Sequence, residues 1–324
     1  MSELTYLGAI REALIEEMER DPRVFLIGED IGHFGGAFKV TEGLLERFGA
    51  ARVVDTPIAE ALIVGVSIGA AIRGQRPVAE MQFADFVTCG FSQLVENAGT
   101  FHYRLKVSVP MVIRLPSGGG VGGGPYHSRN TEAWFAHASG LKVVAPATPS
   151  DAKGLLKTAI RDPDPVVYLE QKWLYRREKE QVPAGEHLVP FGQARIAREG
   201  RHATVVAYAN AVPMAVEAAD RLAKDGVSVE VIDLRTLVPW DWRTVLASVQ
   251  KTGRLLVATE ASRTASFASE VAATVAELAV AELDAPILRV SAPDTPVPAE
   301  KGLEAFHRPN TERIVEALRA LTRY

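Results

Sequence analysis

Apolar residues recur along this chain at two different periods. In YLGAIREALIEEMER, near the N-terminus, they fall three and four apart, the spacing of a helix with one buried face. Short apolar runs follow at residues 24–28, 52–55, 77–79, 109–115, 142–146 and 166–169, with helical patterns between them. Strands alternating with helices predict a mostly parallel sheet covered on both faces. From residue 171 to 190 the alternation lapses into WLYRREKEQVPAGEHLVP, whose charge and two prolines predict an exposed linker. Alternation resumes with strands at 203–207, 227–232, 254–259 and 287–290, helices at 212–224 and 266–281, and a closing helix from about residue 311. The expected fold class is α/β with two domains, 1–180 and 191–324, joined by a linker at 181–190.

Composition narrows the function by exclusion. With 324 residues, 47% hydrophobic and 23% charged, the chain can form sizeable cores. A net charge of −4 leaves no electrostatic footprint for nucleic acid or an anionic membrane, so neither is expected as a partner. The single cysteine, Cys89, excludes an internal disulfide and any multi-cysteine metal site. The acidic, amphipathic N-terminus is unlike a secretory or transit peptide, and no stretch reaches the roughly 18 apolar residues of a spanning helix, which points to a cytoplasmic protein. The histidines other than His127 show no metal-ligand spacing.

The glycine cluster SGGGVGGG at 117–124 follows the strand-like VPMVIRL. Gly118, Gly120 and Gly123 satisfy the dinucleotide spacing G-x-G-x-x-G, but Pro125 follows at once where a helix should open, and the next Asp is Asp151. A phosphate loop of the Lys-Ser/Thr type also fails, because no such pair follows the glycines. A nicotinamide-binding oxidoreductase therefore rests on the spacing alone. What remains is either a flexible surface connection or a loop at a strand's carboxyl end that approaches a ligand closely, and His127 just beyond the glycines favours the second.

A second candidate is Glu60. In Asp55-Thr56-Pro57-Ile58-Ala59-Glu60, Thr56 suits a helix N-cap and Pro57 the first helical position, which places Glu60 beyond the reach of a capping box. It is the only ionisable residue from 56 to 72, in a stretch that reads as a helix buried all round. A lone carboxylate there is costly unless a ligand binds it; the bland alternative is an acid favoured by the helix dipole. Glu80-Met81-Gln82-Phe83-Ala84-Asp85-Phe86 follows another short strand, and Phe83 and Phe86 fit either a site or the core of a following helix.

Together, DTPIAE, EMQFADF, the glycine loop ending in His127-Ser128, GLKVVAP at 140–146, DAKGLL at 151–156, VIDLRTLVPWD at 231–241 and KTGRLL at 251–256 resemble one family. It is the beta subunit of the thiamine-diphosphate-dependent 2-oxo acid dehydrogenases, the decarboxylase component of the pyruvate and branched-chain complexes. The resemblance implies a transketolase-like pyrimidine-binding domain, a transketolase-type C-terminal domain and an alpha2-beta2 tetramer. It implies that Glu60 hydrogen-bonds N1′ of the cofactor's aminopyrimidine, that Gln82 and Phe86 line the pyrimidine pocket, and that Ile58 meets the ring through its backbone. His127 corresponds to the active-site histidine near the substrate and the incoming lipoyl group. Asp162 and Asp164, in RDPDP, fall where relatives hold a structural potassium ion, largely through backbone oxygens.

The family's GDG…N motif for Mg2+ and diphosphate is absent from this sequence, so the resemblance implies that the alpha subunit supplies that half of the site. After Tyr103-Arg104 the Ser-Gly-Gly usual in relatives is also missing. FAD at 83–85 and YHS at 126–128 lean toward a branched-chain substrate, with pyruvate as the other option. The C-terminal domain, around Asp294 and Tyr324, is where analogy places docking of the lipoyl acyltransferase core. The alternative from another class is a non-catalytic scaffold or regulatory subunit of the same fold anchoring that core.

Overall fold

The structure, a computed structural model, describes residues 1–324. Its strands are β1 (Ser2–Thr5), β2 (Val24–Gly28), β3 (Val53–Asp55), β4 (Arg76–Glu80), β5 (Val112–Ser117), β6 (Lys142–Val144) and β7 (Val166–Gln171) in the first half. The second half contributes β8 (Lys179–Val182), β9 (Arg195–Arg198), β10 (Ala203–Ala207), β11 (Val229–Asp233), β12 (Thr236–Val238), β13 (Leu255–Ser262) and β14 (Leu288–Ala292). A seven-stranded sheet runs β12-β6-β7-β5-β4-β2-β3 and a five-stranded sheet runs β14-β13-β10-β11-β9. Within each, all pairs are parallel except the edge strand, β12 or β9. Every residue of β5, β7, β10 and β11 is buried, as expected of parallel strands with helices on both faces.

Two features depart from the sequence pattern. The charged stretch after residue 171 is not an exposed linker throughout: Gln171, Lys172, Leu174 and Tyr175 are buried, and β8 pairs antiparallel with β1. Exposed backbone is concentrated at residues 184–188. The reason is that β7 runs on through Gln171 and the polar groups beyond it find partners inside the fold. The fifth strand also starts later than the apolar run, at Val112, because Pro110 cannot donate to the ladder.

The halves are not independent in their packing. The largest core cluster, 36 buried residues, joins Ile113 and Leu115 of β5 to Ile232 of β11 and Val257 of β13, so its apolar interior is continuous across both sheets. A second cluster packs the Tyr6–Arg20 helix, through Tyr6, Ile10 and Leu14, on the Pro149–Arg161 helix. There, buried Lys153 and Lys157 reach Glu12 and Glu16, with the shortest contact 2.6 Å.

Three neighbouring strands of the large sheet are tied by one buried ion cluster. Arg114 of β5 donates to Glu170 of β7 through Nε at 2.5 Å and Nη2 at 2.8 Å, and through Nη1 to Glu80 of β4. Tyr175 Oη adds a hydrogen bond to Glu170 at 2.7 Å. Burial, together with the Glu170 charge, pushes the Glu80 carboxyl above its ordinary range although Arg114 opposes this. A buried cluster of this kind is stable only when complete. Arg114→Leu strands two buried carboxylates and is expected to cost about 3–5 kcal/mol, read as a lowered unfolding midpoint in urea or heat. Unchanged stability would show that the cluster does not hold the strands.

Candidate functional site

Five adjacent parallel strands, in the order β3-β2-β4-β5-β7, open their carboxyl ends on one edge, the usual binding edge of an α/β sheet. Glu29 follows β2 and Glu60 follows β3. Gln82, Phe83 and Phe86 follow β4, the glycine loop and His127 follow β5, and Lys172 follows β7. The candidate catalytic and cofactor-binding residues thus follow consecutive strands of this sheet.

Glu60 is the first residue of the Glu60–Ile72 helix. Thr56 and Pro57 do not cap and open that helix: the cap position is Ala59, which offers no side-chain bond, and the Thr56 N–H is donated to the Gly28 carbonyl at 3.0 Å. Pairing beside the end of β2 keeps residues 56–59 out of the helix. Glu60 therefore sits where the helix dipole favours negative charge. The helix is also not buried all round, since Ile63, Val64, Ser67, Ile68 and Ala71 face inward while Leu62, Val66 and Ile72 are exposed. Ile58 is 83% exposed.

Beside it lies Glu29, a residue that pattern reading passed over although it directly follows an apolar strand. It is buried, its Oε1 has no hydrogen-bond partner, and its carboxyl is pushed up by burial first and by the Glu60 charge second. Gln82 Nε2 donates to Asp30 Oδ2 at 2.7 Å, so the amide is held facing the same edge.

His127 is framed by two aromatic rings. Phe83 meets the imidazole edge-on at 4.6 Å between centroids and Phe86 at 5.3 Å, with the two phenyl rings 5.7 Å apart. Both phenylalanines are half-buried beside His127, and the segment after Phe83, which includes Phe86, is a 3-10 helix, Ala84–Gly90. His127 Nδ1 lies 3.3 Å from the Gly123 carbonyl, which can only accept, so Nδ1 is the donor in this contact.

The glycine loop is not a flexible connection, because three of its N–H groups are tied to carboxylates from the second half of the chain. Gly119 N–H donates to Glu260 Oε1 at 2.6 Å, and the Gly120 and Gly122 N–H groups donate to the Glu304 carboxylate at 2.8 and 3.0 Å. The glycines are required because Gly118 and Gly120 have φ of +78° and +92°, and a Cβ on Gly120 would lie 2.2 Å from Trp173. Burial raises the Glu260 carboxyl, but Arg308, the Gly119 N–H and Asn210 outweigh it and hold the group below its ordinary range. These three N–H groups face protein carboxylates rather than a phosphate.

Asp162 and Asp164 lie apart from this edge. Lys142 Nζ bridges them at 2.6 and 3.2 Å, and His102 Nδ1 meets Asp164 at 2.6 Å. The nearby Lys106 takes φ of +58° at the end of the Gly99–Leu105 helix, a conformation usual for glycine.

Glu304→Ala frees two loop N–H groups whose charged hydrogen bonds are worth roughly 1.5–3 kcal/mol each. Amide hydrogen exchange across residues 118–127 is expected to accelerate while β2 and β4 keep their protection. Unchanged exchange in that loop would show that the second half of the chain does not hold it.

Two family descriptions match the chain: "Transketolase, pyrimidine binding domain" over residues 2–178 and "Transketolase, C-terminal domain" over residues 192–314. The 2-oxoisovalerate dehydrogenase subunit beta of Bacillus subtilis is 48% identical over 327 residues, covering 100% of both chains. The pyruvate dehydrogenase E1 component subunit beta of Leifsonia xyli is 48% identical over 97% of this chain and 94% of its own. A solved split-gene transketolase, described as an inactive beta4 tetramer, superposes with a TM-score of 0.81 over 99% of this chain and 98% of its own at 22% identity, which speaks to the fold. The chain belongs to the family of beta subunits of the 2-oxo acid dehydrogenase E1 component, with its branched-chain and pyruvate types.

Proposed function

We propose that this chain is the beta half of an alpha2-beta2 decarboxylase that uses thiamine diphosphate to decarboxylate a 2-oxo acid and to acylate a lipoyl group. The observation that carries the reading is the convergence of Glu60, Gln82, Phe86 and His127 on loops of one sheet edge. These residues suit an aminopyrimidine: a carboxylate at a helix start, an amide held by Asp30, a half-buried aromatic ring, and the orphaned Glu29 oxygen beside them. The Gly119, Gly120 and Gly122 N–H groups are given to carboxylates and are not offered to a diphosphate.

Thiamine diphosphate, when bound, supplies the carbon that adds to the 2-oxo group and the sink for the electrons that CO2 leaves behind. Glu60 holds or shares a proton at N1′ of the aminopyrimidine, and its charge, after burial, keeps the neighbouring Glu29 carboxyl above its ordinary range. Phe86 contacts the ring, Gln82 orients it, and the exposed backbone around Ile58 meets it. His127 presents Nε2 toward the substrate and the lipoyl group, with Phe83 and Phe86 limiting its rotation.

The alpha subunit brings Mg2+ and the diphosphate-binding groups. It or a second beta subunit covers the apolar face of Leu62, Val66 and Ile72, along which Gly65 and Gly69 leave open space. Potassium, if held near Asp162 and Asp164, is taken by backbone oxygens, since Lys142 already matches the side-chain charges. The acyltransferase core docks on the C-terminal domain, where Asp294 is exposed and ties down Thr264, and Tyr324 is 69% exposed. FAD at 83–85 and YHS at 126–128 favour a branched-chain substrate. The work is placed in the cytoplasm; no helix is long and apolar enough to cross a membrane, and Cys89 is a free, exposed thiol.

Co-expression with the alpha partner and assay against pyruvate and 2-oxoisovalerate tests the reading. Turnover is expected only from the mixture with thiamine diphosphate and Mg2+, with kcat/KM about tenfold or more in favour of 2-oxoisovalerate. Glu60→Ala should lower turnover by about 100-fold or more with an unchanged unfolding midpoint. Preference for pyruvate overturns the substrate assignment, and near-normal turnover of Glu60→Ala overturns the role of Glu60.

A further inference from the structure

Lys172 is a buried cation that the reaction described above does not use. It is 4% exposed, and its ammonium donates to the His127 carbonyl at 2.7 Å and to the Pro116 carbonyl at 3.4 Å. It also stands 5.4 Å over the centroid of Phe83, the ring that meets the His127 imidazole edge-on. Both acceptors are main-chain carbonyls, and neither neutralises the charge. Asp85, Glu260 and Glu304 attract the ammonium through space and Arg308 repels it, and burial brings its pKa down to about 8. A lysine buried at that cost, where an apolar side chain of similar volume would pack without it, calls for a role other than stability. Two of its three contacts converge on His127, one on the peptide and one on the ring that meets the imidazole edge-on.

We propose that Lys172 is a positioning residue for His127, fixing the peptide by a charged hydrogen bond and the imidazole through Phe83. The inference rests on the reading of His127 as the residue facing substrate and lipoyl group. With the peptide carbonyl fixed from β7 and the glycine loop fixed by Glu260 and Glu304, the histidine is anchored from both halves of the chain.

The test uses the assembled enzyme and compares wild type, Lys172→Met, Lys172→Arg and His127→Ala. Two readouts are taken: steady-state acylation of a lipoyl domain, and the rate at which diethyl pyrocarbonate modifies His127 without substrate. Lys172→Met is expected to lower kcat about tenfold or more, to leave KM and cofactor affinity within about twofold, and to raise His127 reactivity. Lys172→Arg, which keeps a cationic donor, is expected to restore turnover to within about fivefold and reactivity to the wild-type rate. Wild-type turnover and reactivity in Lys172→Met overturn the proposal while leaving the role of His127 in place. Altered reactivity in Lys172→Met together with normal turnover in His127→Ala supports the positioning and overturns the reading of His127. Should Lys172→Met fail to assemble, Lys172→Arg decides alone: turnover within about fivefold supports the proposal, and loss as deep as that of His127→Ala overturns it.

Discussion

Arg114 crosses the middle of the seven-stranded sheet and binds a carboxylate on each side, Glu80 of β4 and Glu170 of β7. In a dry interior none of the three charges is tolerable alone, so the relative position of three strands is set by an interaction that is stable only when all of it is present. Each strand then leads into a candidate site residue: Gln82 after β4, the glycine loop and then His127 after β5, Lys172 directly after β7. Correct pairing along the sheet thus becomes correct spacing along its edge. Glu29 and Glu60, after β2 and β3, extend the same row.

The second constraint comes from the other half of the chain. Glu260 at the end of β13 and Glu304 in the Lys301–His307 helix take the N–H groups of the glycine loop, and the largest core runs through both sheets. Backbone donors that in many α/β proteins face a ligand's phosphate here face protein carboxylates. The loop that carries His127 is therefore a joint between the two halves.

Much of the architecture was legible from periodicity, since parallel strands buried on both faces read as apolar runs, and 24–28, 142–144 and 203–207 stand out as such. Glu60 stood out as a candidate because it is a lone charge in an apolar stretch, and His127 because glycines precede it. The start of the Glu60–Ile72 helix was not, because Thr56 and Pro57 carry local start signals that a long-range bond to Gly28 overrides. The glycine loop was read as facing a ligand because its partners, Glu260 and Glu304, lie about 140 and 180 residues away and have no local signature. Lys172 looked like linker charge for the same reason: its value depends on carbonyls brought to it by β5 and its loop.

The central claim is that one cofactor is held between this chain and another, with this chain supplying the pyrimidine side. An equilibrium titration of thiamine diphosphate in the presence of Mg2+ against the chain alone, the alpha partner alone and their assembly measures that directly. The account predicts saturable binding by the assembly and at least about 100-fold weaker binding by this chain alone, a gap of roughly 2.7 kcal/mol or more. Equal affinity for the isolated chain and the assembly would contradict it.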